Sequence, residues 1–339
     1  MNIILSISKV EIIGKNIHNK IKKYLELGVT GFRINLAKYN NEDIYHMLST
    51  IDEIVQQYTL KNFEFIFDIP LPKKKTRVTN MISSCIRIES GDELLVRKDH
   101  GEKVISKYNI FVDEFNFNCK INDIIYYGDG IGTFVCKEIS NNYILLKAIN
   151  SFEFYKNKSF NIEPIYNLND DSVFENCAKL NAIVNNCYFA LSFIENPKDI
   201  YYLCEKIGCQ KSQILCKIET QKSIENIESL LVNSAGILLG RGDLLYYSEI
   251  NNFFLNCIKS LKIAHALNKK FYLCTDVMMS LINNNIANRA DIIDVSVFKA
   301  FGCENIILPA GFSRDGNLSE AIKIIENTDS GFLSINTSV

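Results

Sequence analysis

The sequence predicts an α/β protein, a (β/α)8 TIM barrel with a small all-β lid domain inserted after its third strand. Two observations carry this reading. Eight apolar runs, at 2–8, 31–36, 63–69, 188–193, 213–219, 235–240, 270–275 and 305–310, are each followed by a stretch of helical periodicity. Between 71 and 163 that rhythm stops, and short alternating segments with Gly and Asn turns replace it.

Apolar runs of this type suit strands buried on both faces, as in a parallel sheet. The helical partners include 44–58, 173–184, 224–232, 253–267 and 318–325. An open doubly wound sheet is the alternative, and the lack of a dinucleotide-binding glycine motif weighs against it. The interruption contains strand patterns at 92–97, 124–127, 132–139 and 143–148 and no long amphipathic helix. The domains expected are therefore a barrel from 1–70 and 164–339 and an inserted β-barrel-like domain at 71–163. An insertion at the carboxyl face of a barrel stands over the site and can act as a lid.

Bulk properties exclude several classes. The chain has 339 residues, 47% of them hydrophobic, and a formal net charge of −2. That supplies a large core and argues against disorder and against a basic nucleic-acid binder. No apolar run approaches the roughly 20 residues that span a bilayer, and the start lacks a basic n-region and cleavage site. Eleven scattered cysteines without a Cys-x-x-Cys pair, and no secretion signal, suit a reduced cytoplasmic protein. The four histidines have no ligand-like spacing, so a zinc site is not expected.

The strand ends carry the chemistry. Active sites of parallel barrels lie at the carboxyl ends of the strands. Here strand two ends Arg33-Ile34-Asn35 and strand three ends at Asp68. Strand four gives Ser192, strand five Lys217-Ile218-Glu219, strand six Arg241-Gly242-Asp243 and strand seven Thr275. Residues i and i+2 share a face of a strand, which pairs Arg33 with Asn35 and Lys217 with Glu219. Singly, each is most simply a solvated loop residue or half of a structural ion pair; together on one rim they suggest a site. Glu219 and Asp243 offer hard oxygens for Mg2+ or Mn2+. The Lys and Arg beside them suit an anion, with Arg33 and Lys217 able to neutralise a phosphoryl group. Gly242 permits close backbone approach, and the amides after strand six could hold a carboxylate. A small phosphorylated carboxylic acid fits this set.

At these residues the chain resembles the pyruvate kinase family. Arg33-Ile34-Asn35-Leu36 is similar to that family's Arg-Leu-Asn-Phe, and Asp68 to the aspartate of Asp-Thr-Lys-Gly-Pro. Lys217-Ile218-Glu219 and Arg241-Gly242-Asp243-Leu244 match Lys-Ile-Glu and Arg-Gly-Asp-Leu, and Thr275 resembles the threonine of Ala-Thr-Gln-Met. The similarity is collinear from Asn2 to about Glu326 and includes the insertion after strand three.

The resemblance implies phosphoryl transfer from phosphoenolpyruvate to ADP, giving pyruvate and ATP, in the cytoplasm. Glu219 and Asp243 would be the metal ligands. Lys217 and Arg33 would act on the phosphoryl group, Thr275 would lie near the enolate carbon, and Gly242 would help hold substrate. Arg33 and Lys158 would reach nucleotide phosphates, together with either Lys75 or Arg77. Family members usually hold K+ through an Asn, a Ser, an Asp and a Thr. Asn35 and Asp68 keep two of these, while Ala37 and Ile69 replace the others and Lys73 stands where a Glu is usual. This pattern resembles the K+-independent branch, with the Lys73 ammonium replacing the ion.

Other departures keep two alternatives open. The family's Ser-Gly-Glu-Thr after strand eight is Pro309-Ala310-Gly311-Phe312, a Gln becomes Asp276, and an Arg becomes Glu195. The chain ends after the eighth helix, so a C-terminal regulatory domain is not expected. One alternative is a metal-dependent lyase, aldolase or transferase working through an enolate of pyruvate or phosphoenolpyruvate. The other is an inactive metabolite-binding relative. Nucleic acid and membrane are not expected partners, and a homo-oligomer is compatible with the sequence.

Overall fold

The structure is a computed structural model. It describes residues 1–7, 17–36, 41–58, 63–69, 73–74, 76–97, 107–113, 119–128, 130–161, 165–166, 172–184, 186–315 and 317–328. The chain divides into two compact units. The first comprises Met1–Pro70, Asp171–Leu244 and Ser248–Val339, and the second Leu71–Asp170 with Leu245–Tyr247.

The first unit is a closed barrel of eight parallel strands. These are β1 (Asn2–Ile7), β2 (Val29–Asn35), β3 (Glu64–Ile69), β4 (Cys187–Leu191), β5 (Ile214–Ile218), β6 (Gly236–Gly240), β7 (Lys270–Cys274) and β8 (Asn305–Leu308). Each pairs with its neighbour in sequence order, and β8 closes on β1 through Asn2↔Asn305 to Leu5↔Leu308. β3 and β4 also pair directly, Cys187↔Phe65 to Leu191↔Ile69, although residues 71–170, the larger part of the second unit, lie between them in sequence. Ile4, Ile66, Ala190, Leu215, Leu238, Tyr272 and Ile307 form one buried cluster drawn from seven of the strands. Their burial is the main favourable contribution to barrel closure.

Several strands stop earlier than the apolar runs suggest, three of them for an evident local reason. β4 ends at Leu191, just before Phe193 adopts a φ of 53°. β7 ends at Cys274 because Thr275 has a φ of 69°. β8 ends at Leu308 because Pro309 has no N–H for the ladder. The helical stretch at 224–232 is also not continuous: helices Gln221–Glu225 and Ile227–Val232 meet at Asn226.

At the amino end of the barrel, Glu64 is buried between Lys270, with which it forms an ion pair, and Tyr272, whose hydroxyl donates at 2.6 Å. Asn2 donates to Asn305 at 2.8 Å beside them. Buried polar groups of this kind persist because each is satisfied.

The second unit contains a seven-stranded sheet in the order Phe160–Asn161, Ile124–Tyr127, Gly132–Ile139, Tyr143–Ala148, Glu93–Arg97, Tyr108–Val112, Val78–Asn80. Alternating inward residues build its core around Tyr127, Phe134, Phe152, Phe154 and Phe160. Tyr127 stacks on Phe154 with centroids 4.1 Å apart. All eleven cysteines are unbridged thiols. Among the described residues, no helix is long and apolar enough to cross a membrane.

Candidate functional site

The carboxyl ends of β2, β3 and β5 carry a linked set of ionic side chains. Arg33, on β2, hydrogen-bonds to the Asp68 carboxylate on β3 and donates to Ser6 Oγ on β1 at 3.1 Å. Asp68 Oδ1 lies 3.3 Å from Lys217 Nζ on β5. The same ammonium is 3.0 Å from Glu219 Oε1 and donates to Ser192 Oγ at 2.7 Å. Glu219 Oε2 in turn accepts from the Phe193 amide at 2.7 Å. An alternating Arg33–Asp68–Lys217–Glu219 chain thus crosses the rim, its two carboxylates almost fully buried.

Burial opposes each charge, and the alternation overcomes it. For Asp68, desolvation works upward, but Lys217 and Arg33 together hold its pKa below the ordinary aspartate value. For Lys217, desolvation works downward, and Asp68 and Glu219 outweigh it, leaving the ammonium more basic than usual. Arg33 follows the same logic, with burial outweighed chiefly by Asp68. Cys274 beside them behaves oppositely: burial raises its thiol pKa despite Arg33, Lys217 and Arg241 nearby.

Glu219 is seated by a glycine. A Cβ on Gly240, at the end of β6, would come within 2.4 Å of Glu219 Cγ. Asp243 lies half-buried in the first turn of helix Arg241–Tyr247, which starts directly from β6. Gly242 faces Thr275, whose Cγ2 would be 3.0 Å from an added Cβ. Among the described residues, no group of three or more His, Cys, Asp or Glu side chains forms a metal cage. Two hard carboxylates at neighbouring strand ends, one in a glycine cradle, fit Mg2+ or Mn2+, ions that retain waters and take substrate oxygens. Glu219 and Asp243 would hold the ion.

The sequence reading placed an arginine from the strand-six motif among the anion-facing groups. The structure gives Arg241 other partners. Its NH1 contacts both carboxylate oxygens of Asp294 at 2.5 and 2.7 Å. Its Nε donates to the Cys274 carbonyl at 3.0 Å and its NH2 to the Thr275 carbonyl at 2.6 Å. Arg241 is therefore a clamp on the end of β7. Asp294 and Ser6 escaped sequence reasoning, because neither sits in a local motif and both are revealed only by tertiary pairing.

The remaining predicted residues fall as follows. Asn35 ends β2 in register with Asp68, and Ile69, fully buried, ends β3. Glu195 is buried and accepts from Thr220 Oγ1 at 2.9 Å, so the carboxylate has a structural partner at the start of helix Gln221–Glu225. Phe312 is buried in helix Gly311–Asp315, which the Tyr24 hydroxyl anchors through Ser313 O at 2.8 Å. Arg77 and Lys158 belong to the second unit, on adjacent segments: Arg77 bridges Ser159, and the Val78 amide donates to Lys158 O at 2.9 Å. Lys73 lies on a two-residue strand paired with Ile165–Tyr166; its side chain, like all of Lys75 and Ala37, lies outside the described residues.

An eight-stranded parallel barrel with its ionic chain at the carboxyl rim defines an α/β-barrel protein of the TIM type. The sequence model described as "Pyruvate kinase, barrel domain" matches residues 7–320, and the chain belongs to the pyruvate kinase family. It is a divergent member. It is 23% identical over 314 residues to a pyruvate kinase of Staphylococcus epidermidis, covering 91% of this chain and 53% of the relative. It is 24% identical over 314 residues to one of Staphylococcus aureus, with the same coverage. A pyruvate kinase of Thermotoga maritima is 24% identical over 316 residues, covering 91% of this chain and 66% of the relative. The chain thus spans about half the length of the staphylococcal relatives and about two thirds of the third.

Proposed function

We propose that this chain transfers the phosphoryl group of phosphoenolpyruvate to ADP, forming pyruvate and ATP. The observation that carries the reading is the Arg33–Asp68–Lys217–Glu219 chain, which holds two cations and a metal-type carboxylate at one rim. The substrate P–O bond breaks, a new one forms to the terminal ADP oxygen, and the released enolate gains a proton at carbon. Such transfers depend mostly on positioning and charge stabilisation. Lys217 would balance charge on the phosphoryl group in flight, and Arg33 would orient its oxygens. A divalent ion at Glu219 and Asp243 would supply Lewis-acid stabilisation of the carboxylate and enolate oxygens. The Gly242 and Asp243 amides, at a helix start, suit the substrate carboxylate, and Thr275 would lie at the enolate carbon. Arg33 and Lys158, together with either Lys75 or Arg77, would meet the nucleotide phosphates. Lys73 would supply the positive charge that K+ gives elsewhere, making that ion unnecessary.

A second reading keeps the enolate and changes the partner: a metal-dependent lyase, aldolase or transferase. The buried, apolar Phe312 after β8 favours it, because a polar group is absent where the family carries Ser-Gly-Glu-Thr.

One assay separates the two. Pyruvate release from phosphoenolpyruvate is followed with Mg2+, with and without ADP, and with K+ omitted. Turnover that needs ADP but not K+ supports the first reading; pyruvate chemistry without ADP supports the second.

A further inference from the structure

Thr275 occupies a backbone conformation that a β-branched residue rarely adopts, with a φ of 69°, and Asp276 follows at 55°. Two successive left-handed residues without glycine persist only when their surroundings hold them. The holding group is visible. The Arg241 guanidinium donates to the carbonyls on both sides of the bend's entry, Cys274 O at 3.0 Å and Thr275 O at 2.6 Å. Its remaining edge is fixed by the two-oxygen contact with Asp294, and its face lies 5.6 Å from the Phe298 ring centre. Asp294 and Phe298 are four residues apart on helix Arg289–Ala300 and so share a face. One helix thus grips both edge and face of the guanidinium, whose fork then sets two consecutive carbonyls.

We infer that Arg241 and Asp294 are positioning residues that hold Thr275 in its left-handed bend and thereby set its place at the reacting carbon. The second half of this inference rests on the reading of Thr275 given above. A lysine at 241 has no planar fork and cannot serve two carbonyls and a carboxylate together. An asparagine at 294 keeps the shape but loses the charge and one acceptor.

The test has two arms, both on the full chain. The first is conformational: the backbone 13C shifts of Thr275, in threonine-labelled protein, report its φ region without any substrate. In Asp294→Asn and Arg241→Lys they move away from the left-handed pattern. The second is chemical: exchange of pyruvate methyl protons with D2O in the presence of Mg2+. A methyl proton leaves to solvent, the enolate forms, and a deuteron returns to carbon, so the proton step is read without phosphoryl transfer. Exchange falls about 100-fold in either variant, as expected for a misplaced group near the reacting atoms, while the KM for phosphoenolpyruvate stays within about threefold. The double variant is no worse than the worse single one, because both remove the same clamp. Should Asp294→Asn fail to fold, Phe298→Leu, which strips only the ring, carries the same comparison with a smaller shift.

Unchanged Thr275 shifts overturn the inference, whatever the activity. Moved shifts with undiminished exchange overturn its functional half. Wild-type protein that supports no exchange overturns the assignment of Thr275 to the enolate carbon and leaves the conformational arm to decide the clamp.

Discussion

Lys217 Nζ stands 3.3 Å from Asp68 Oδ1, across β4, which separates their two strands. This ammonium also contacts Glu219, so it is held between two buried carboxylates. An ion pair of this kind is expensive to break, since removing one partner strands the other in the interior.

Asp68→Asn leaves Arg33 and Lys217 facing each other without their shared counter-charge. It should destabilise the barrel by about 3–5 kcal/mol near neutral pH, read by urea unfolding. The pH dependence has a definite sign. The depressed Asp68 pKa contributes stability above the ordinary aspartate value of about 3.9, and this is lost as pH falls through the folded value. The raised Lys217 pKa contributes stability below the ordinary lysine value of about 10.4, lost as pH rises through the folded value. The difference between wild type and Asp68→Asn should therefore shrink on acidification from pH 4 to pH 2. A constant difference over that range would remove Asp68 ionisation as its source.

Lys217→Met should abolish phosphoryl transfer while leaving Mn2+ affinity, measured by electron spin resonance, within about threefold. The methionine keeps much of the volume and removes the charge. Retained turnover would take Lys217 out of the mechanism.

Gly240→Ala should displace Glu219, because the new methyl would lie 2.4 Å from its Cγ. Overpacking costs about 1–3 kcal/mol. The sharper expectation is a loss of divalent-ion affinity of about tenfold or more, read by titration calorimetry. Unaltered affinity would mean that the cradle does not position the ligand.

Tyr272→Phe serves as the opposite case. Its hydroxyl hydrogen-bonds to Glu64 at the amino end of the barrel. The loss should cost about 1–3 kcal/mol of stability and leave kcat and KM unchanged. Altered kinetics would show that this end communicates with the rim.

Lys73→Glu should create a dependence on K+ in the coupled assay if Lys73 supplies that ion's charge. Turnover equally indifferent to K+ in the variant would end that assignment.

The barrel was legible because its strands are apolar runs, several of which carry a polar residue near the carboxyl end, as at Asp68 and Lys217. The alternation of residues 132–139 and 143–148 likewise revealed strands of the second unit. Arg241 was misread for a physical reason: a charged residue at a strand end looks alike whether it faces a ligand or a distant helix. Its partner Asp294 lies 53 positions later, in a helix whose own pattern gives no hint of the pairing. The left-handed bends at Phe193 and Thr275 were equally hidden, since neither is a Gly or Asn. Their cause is tertiary.

The direct pairing of β3 with β4 has a modular consequence. The connection between two adjacent staves of the barrel can be a handful of residues or an entire aromatic-cored unit, because loop-closure entropy grows only slowly with length. The register of this ladder is thus carried by the two strands themselves and not by a short connection between them.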